Sequence, residues 1–232
     1  MSTLDRPAVS AGPTLLGRHL RSWLGTWPAT SAVEIVESEC RCRPGWNGEL
    51  HPLVGVGSPD GLVISVAPGN ASKVTAAIAG LAVGGKAFLD ALSGAVGDDR
   101  FAVRTVFRWC TDPASSDEVG VWLDRDDSAV PDWLRPFNGR VLVARDAGGD
   151  VVSGVGLKRH DRFGHELAVV TTARARGRGL AALLVAQAAR NVLAAGALPT
   201  YLHLATNTAS ARVAASAGFA DVGWIGLALQ DR

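Results

Sequence analysis

The sequence predicts a mixed α+β protein, and three observations carry that prediction. Between residues 140 and 171 "RVLVARD", "VVSGVGLKRH" and "HELAVVT" read as strands, parted by Gly- and Asp-bearing turns of the kind antiparallel hairpins require. Helix-spaced apolar residues over 179–195 and the short "TASARVAASAG" then interleave with the strand "TYLHLAT". Finally, the 232 residues are 47% hydrophobic and 19% charged, ample for a packed core in one large domain or two small ones.

Each element has a local reason. Residues 1–12, rich in Ser, Ala and Pro, read as a loose tail, and "TLLGRHLRSWLGTW" spaces Leu15, Leu16, Leu20, Trp23 and Leu24 as a helix stopped by Pro28. "AVEIVES" alternates, "GLVISVAP" reads as a buried strand, and Asn70 is a candidate N-cap for the helix "ASKVTAAIAGLA". "RFAVRTVFRWC" is a strand with Phe101, Val103, Thr105 and Phe107 on one side, whereas 111–137 is turn-rich. The helix over 179–195 ends at Gly196 with Pro199 beyond it, the short helix closes at Gly218, and "FADVGWIGLAL" is a last strand pair or one bent strand. The expected division is a tail and helix over 1–30, an α+β portion over 31–136 (a degenerate half or a cap), and a β-β-β-α-β-α-β core over 137–232.

Composition excludes several function classes. A net charge of +1 implies no general attraction for nucleic acid. Cys40, Cys42 and Cys110 are an odd count without framework spacing; Cys40 and Cys42, expected on one side of a strand, lack a second ligand pair for zinc, so reduced thiols and no metal are expected. No segment is apolar enough for a signal peptide or a bilayer span, which makes a cytoplasmic location the expectation.

The stretch "TTARARGRGLAALLVAQAAR" concentrates the chemistry. First-turn N–H groups of a helix lack intrahelical partners and carry partial positive charge. Gly177 and Gly179 let an anion approach the backbone, Arg174, Arg176 and Arg178 add guanidinium donors, and Leu180, Leu183, Leu184 and Ala188 pin the helix to a sheet. The physical reading is a pyrophosphate cradle. Residues 177–182 also fit a dinucleotide fingerprint, but no Asp or Glu occurs between Glu166 and Asp221, where a ribose partner belongs roughly 20 residues on. The bland alternative is three solvated arginines beside a tight turn, an unfavourable place for arginine unless an anion is near.

These residues resemble the GNAT superfamily of N-acetyltransferases. Its Q/R-x-x-G-x-G/A signature is met by Arg176-Gly177-Arg178-Gly179-Leu180-Ala181, and one register earlier by Arg174 through Gly179. The strand "HELAVVT" before it and "NTASARVAASAGF" after it fit the same family, and the similarity covers roughly residues 137–225. The resemblance implies a central, largely antiparallel, splayed sheet and acetyl-CoA as co-substrate. It places the backbone of Val169, Val170 and Thr171 along the pantetheine arm, residues 177–182 (Ala181 and Ala182 included) on the pyrophosphate, and Asn207 on the cofactor arm. The family's acid tyrosine, seven residues beyond that asparagine, is here Ala214; the lone tyrosine, Tyr201, stands at a strand start, away from the family's position.

Acetyl transfer to an amine needs the amine neutral, an oxyanion stabilised and a thiolate released. An amine of pKa ~10.4 must give up its proton, and Glu166 is the first candidate base, against a solvated strand charge as the alternative. His165, beside it, faces the other way; His160, His203 and His165 read as structural or surface residues. The N–H of Val170 or a neighbour would polarise the carbonyl. A thiol of pKa ~8.5 leaves tolerably without a strong acid, and Ser210 is a candidate donor, against a serine that only satisfies its helix start. With no cysteine near the cradle, direct attack in a ternary complex is expected. The acceptor amine, on a small molecule or a protein, is unread; the acidic 124–127 is either an attraction for a cation or a solvated face. Trp23, Trp27, Trp46, Trp109 and Trp122 supply core, an acceptor pocket or a homodimer contact. The expectation is an N-acetyltransferase; the alternative is a non-catalytic acyl-CoA-binding sensor or scaffold.

Overall fold

In the computed structural model, which describes residues 14–97 and 99–231, helix α1 (Leu15–Leu24) leads into β1 (Val33–Glu37), β2 (Leu53–Ser58) and β3 (Gly61–Val66). Then come α2 (Ala71–Ile78), α3 (Lys86–Val96), β4 (Phe101–Trp109) and the short β5 (Val121–Leu123). The second half runs β6 (Val141–Arg145), β7 (Val151–Arg159), β8 (Gly164–Thr171), α4 (Leu180–Ala194), β9 (Leu198–Leu204), α5 (Thr208–Ser216) and β10 (Ile225–Gln230). The tail expected over 1–12 lies outside the described residues.

All ten strands join one sheet in the order β1-β3-β2-β10-β4-β9-β8-β7-β6-β5. Only β1–β3 and β8–β9 run parallel. The last strand lies between β2 and β4, so a strand from the C-terminal end is bonded to strands of the first half. Side-chain alternation sorts the two faces. On one face α2 and α3 cover Leu53, Ile64, Ala102 and Leu227, while α4 and α5 cover Leu142, Val155, Leu167 and Tyr201. On the other, α1 brings Leu20, Trp23 and Leu24 against Val54, Val63 and Phe107, and Leu134 and Phe137 pack on Val141 and Val143.

Several local expectations are corrected. The first helix ends at Leu24, three residues short of Pro28, because Gly25 adopts a left-handed cap whose N–H reaches the Arg21 carbonyl. Asn70 makes no side-chain cap at the start of α2; the Glu37 carboxylate takes that place, accepting from the N–H groups of Gly69 and Ala71. Cys40 and Cys42 sit in a 3-10 turn over Glu39–Cys42, not on a strand, because the Ser38 side chain caps that turn. "FADVGWIGLAL" contributes the single strand β10. The elements β2, α3 and β5 have no counterpart in the sequence reading.

Candidate functional site

The strands β8 and β9 are neighbours only from Gly164↔Leu198 to Glu166↔Thr200. Beyond that point β8 continues to Thr171 and β9 to Leu204, each still paired on its outer side, with β7 and with β4. Their facing edges part, leaving main-chain donors and acceptors without strand partners inside the sheet. Buried backbone groups are nearly always paired, so a gap of this kind is a ready place for an extended ligand to add itself.

On the α4 face the gap opens into a cleft of about 710 Å³. Val169, Val170 and Thr171 form one wall, Tyr201 the other, and residues 175–182 the mouth. Ser153 Oγ donates to the Val170 carbonyl and lies 2.7 Å from Thr171 Oγ1, fixing the end of β8. At the mouth Gly177 and Gly179 hold φ of +77° and +73°, and a Cβ on either would point into open space. Only glycine adopts that backbone without strain. Helix α4 has no acidic residue in its first turn and no side-chain cap. The main-chain N–H groups of residues 177–181 have no acceptor among the described residues. Five such donors on a helix start, with Arg178 and Arg176 beside them, fit a pyrophosphate.

The two registers of the arginine–glycine motif separate here. Arg174 lies in a 3-10 turn, does not line the cleft, and binds Asp146 at 3.0 Å and Asp150 at 2.9 Å. Arg176 reaches back through Nε to the Thr171 carbonyl at 3.1 Å, and both it and Arg178 line the cleft. The helix opens one residue after Gly179, so the register beginning at Arg176 is the one that fits the cradle geometry.

Across the cleft α5 contributes its start. Asn207 caps that helix by accepting from Ser210 N at 3.0 Å. Ser210 Oγ lies 2.9 Å from the Tyr201 hydroxyl, and both residues line the cleft. Burial raises the Tyr201 pKa, against the opposing hydrogen bond from Ser210. The sequence reading set Tyr201 aside as misplaced; strand alternation turns it to the α5 face, where it meets Ser210. Ala214, on the inner side of α5, is fully buried in the core that α4 and α5 share.

Glu166 lies on the opposite face, in a second pocket of about 660 Å³ that shares the gap through Leu202, His203 and Leu204. It is buried rather than solvated. Lys158 Nζ donates to Oε1 at 2.6 Å, and His160 Nε2 lies 3.1 Å from Oε2. Burial alone would raise its pKa, but the Lys158 charge and the His160 hydrogen bond outweigh burial and hold the carboxyl at about 2. A carboxylate only accepts, so His160 Nε2 carries the proton and Nδ1, which has no partner among the described residues, carries the lone pair. The His160 ring stacks on Trp23 at 4.4 Å, and burial lowers its pKa against the pull of Glu166. His160, read from sequence as structural, is thus part of this pocket. The signal was local: His160, in a hairpin turn, comes six residues before Glu166, and the hairpin folds it back. His165 faces away from Glu166, as strand alternation requires, and burial lowers it to about 4. His203 donates Nδ1–H to its own neighbour's carbonyl and lines the same pocket as Glu166.

Among the described residues no group of three or more His, Cys, Asp or Glu could hold a metal, and no helix is long and apolar enough to cross a membrane. None of the three cysteines lines the cleft on the α4 face; Cys40 lines the opposite pocket and Cys110 is buried.

Residues 103–219 match the acetyltransferase (GNAT) family. No curated protein matches the chain significantly. Among solved structures, a GNAT-family acetyltransferase from Colwellia psychrerythraea is 12% identical, with 94% of this chain and 96% of that one covered and a TM-score of 0.49. A GNAT-family protein from Novosphingobium aromaticivorans is 23% identical over 56% of this chain, with a TM-score of 0.47. The chain spans 65% of the length of that protein, just under two thirds. A GCN5-related N-acetyltransferase-like protein from Streptococcus suis is 19% identical, covering 63% of this chain and 69% of that one, with a TM-score of 0.44.

Proposed function

The chain belongs to the GNAT acetyltransferase family, whose profile covers residues 103–219, and from that premise we propose that it transfers an acetyl group from acetyl-CoA to a primary amine. One observation carries the reading: a single cleft joins the parted strands β8 and β9 to the unsatisfied N–H groups of residues 177–181. Acetyl-CoA supplies the activated acyl group; the chain's own residues bind, orient and move protons. The free edge of Val169, Val170 and Thr171 takes the pantetheine arm as an added strand. The backbone of Gly177, Arg178, Gly179, Leu180, Ala181 and Ala182 takes the pyrophosphate, with Arg176 and Arg178 beside it, while Asn207 and Ser210 border the arm from α5. Arg174, committed to Asp146 and Asp150, serves to brace the turn before the cradle.

The amine reaches the gap from the Glu166 side. A carboxyl at about 2 is a weak acceptor for an ammonium proton, since a general base works best with a pKa near the operating pH. We therefore assign Glu166 the task of orienting His160, whose free Nδ1 takes the proton directly or through a water. The N–H of Val170 or a neighbour polarises the carbonyl. The amine nitrogen, its first proton already on His160, bonds to the acyl carbon; the carbon–sulfur bond breaks, and the nitrogen's remaining excess proton passes to the departing sulfur by way of the Ser210 hydroxyl, which Tyr201 holds in place by their hydrogen bond. With no cysteine on the cleft, attack is direct, in a ternary complex.

The test is free-thiol release from acetyl-CoA across an amine library, run beside calorimetry with acetyl-CoA. Heat of binding with turnover of at least one amine class supports the transferase. Binding with no turnover supports the sensor or scaffold reading, which buried Ala214 at the family's tyrosine position favours. Absence of binding contradicts both.

A further inference from the structure

The pocket that holds Glu166 also holds a guanidinium with no counter-charge. Arg41 is only 5% exposed, yet it lines this pocket. Its Nη2 donates to the Trp23 carbonyl at 2.9 Å, its Nε has no partner, and among the described residues no carboxylate lies within ion-pair reach of it. The buried acids of the pocket are already committed. Asp161 accepts from His19 and from the N–H groups of Phe163 and Gly164, and Glu166 is held by Lys158 and His160. Glu49 and Asp231 line the pocket as exposed residues; Glu49 accepts from Asn47, and neither is ion-paired with Arg41.

An unpaired charge taken out of water is costly, and the usual resolution is a partner that arrives with opposite sign. The local field agrees: burial, the charge His160 would carry if protonated, and the standing charges of Arg41 and Arg100 all hold the His51 pKa down, with Glu49 opposing. The pocket reaches the parted strands through Glu166 and Leu204. A molecule lying in it can therefore present one end to the gap and the other to Arg41. Trp23 and Trp46 give it apolar walls.

We propose that this pocket is the acceptor site and that its acceptor is an anionic primary amine, with a carboxylate or phosphate seated on Arg41 and the amine directed at the gap beside His160. The inference rests on the transferase reading above and names the substrate class for it. Guanidinium is suited to both anions because its planar fork donates to two oxygens at once.

The test compares matched amines in the thiol-release assay: L-α-amino acids against their carboxamides, and O-phosphoethanolamine against ethanolamine. The anionic member is expected to show at least a tenfold higher kcat/KM in one series or both, and the series that responds identifies the anion. Arg41→Met should abolish that preference, read as the ratio of kcat/KM between the two members of each pair in the same variant. Arg41→Lys, which keeps the charge, should retain part of the preference and serves if the methionine variant does not fold. Equal or better use of the uncharged amines, or a preference that survives Arg41→Met, overturns the proposal. If no amine is turned over although acetyl-CoA binds, the transferase reading is what fails. The same pairs titrated by calorimetry then decide the pocket: tighter, Arg41-dependent binding of the anionic member supports it, and equal or absent binding overturns it.

Discussion

At the scale of single residues, the site is a matter of which charges are already spoken for. Arg174 and Arg178 look alike in sequence, but Arg174 is held by two aspartates and Arg178 lines the cleft. Arg178→Ala should weaken acetyl-CoA binding by about tenfold at low salt, as loss of a charge-assisted contact implies, whereas Arg174→Ala should leave it within about twofold; calorimetry reads both. The proposed action of Glu166 through His160 has its own signature. Glu166→Gln should lower kcat by about 10- to 100-fold, within the usual range for general-base catalysis. Because Glu166 raises the His160 pKa against burial, the same substitution should move the acid limb of the pH–rate profile to lower pH. A merely structural role would lower activity without moving that limb. On the cofactor side Ser210→Ala should cost more than Tyr201→Phe, since only Ser210 is asked to reach the leaving thiolate; kcat with a series of thioesters of differing thiol pKa compares them.

At the scale of elements, α4 works because its start is left uncapped. A helix that ended its orphan N–H groups on its own side chains would have nothing to offer a phosphate. Gly179→Val should lower acetyl-CoA affinity by at least tenfold with the fold intact by circular dichroism, since a β-branched residue is strained at φ +73° and its side chain would occupy the cradle. This element was legible in the sequence because glycine, arginine and an apolar stripe each answer a separate physical need. The splay was legible only through the resemblance, since nothing in "HELAVVT" or "TYLHLAT" says that two parallel strands part after Glu166 and Thr200. Tyr201 was missed for the same reason: a residue one step past the last paired position can be placed only once the pairing is known. The helix α3 escaped because its apolar stripe of Phe88, Leu92 and Ala95 is interrupted by the small residues Ser93 and Gly94. Arg41 was hidden in the 3-10 turn over Glu39–Cys42, where its guanidinium reaches the Trp23 carbonyl, 18 residues away in sequence.

At the scale of the whole molecule, one sheet links the two halves, because β10 lies between β2 of the first and β4. The first half thereby supplies the Arg41 wall of one pocket, while the cradle comes from the second. The coupled buried groups also fix how the fold responds to acid. His165 is held at about 4 against an ordinary 6.5, and the His160 pKa is lowered in the same direction. Glu166 is held at about 2 against an ordinary 4.5. All three bind protons more readily unfolded than folded, so their contribution is complete above the ordinary values and is lost as pH falls through the lowered ones. Urea unfolding midpoints should therefore hold near neutrality, decline between about pH 6.5 and 4 as the histidines take up protons on unfolding, and fall again below about 4.5 with Glu166. His165→Asn should flatten the first decline.

The most direct test of the cleft assignment is an amide NMR titration of the whole chain with acetyl-CoA. The account predicts that the largest shifts fall on Gly177, Arg178, Gly179, Leu180 and Ala181, with a second group on Val169, Val170 and Thr171. Shifts centred elsewhere, or none at saturating ligand, would contradict it.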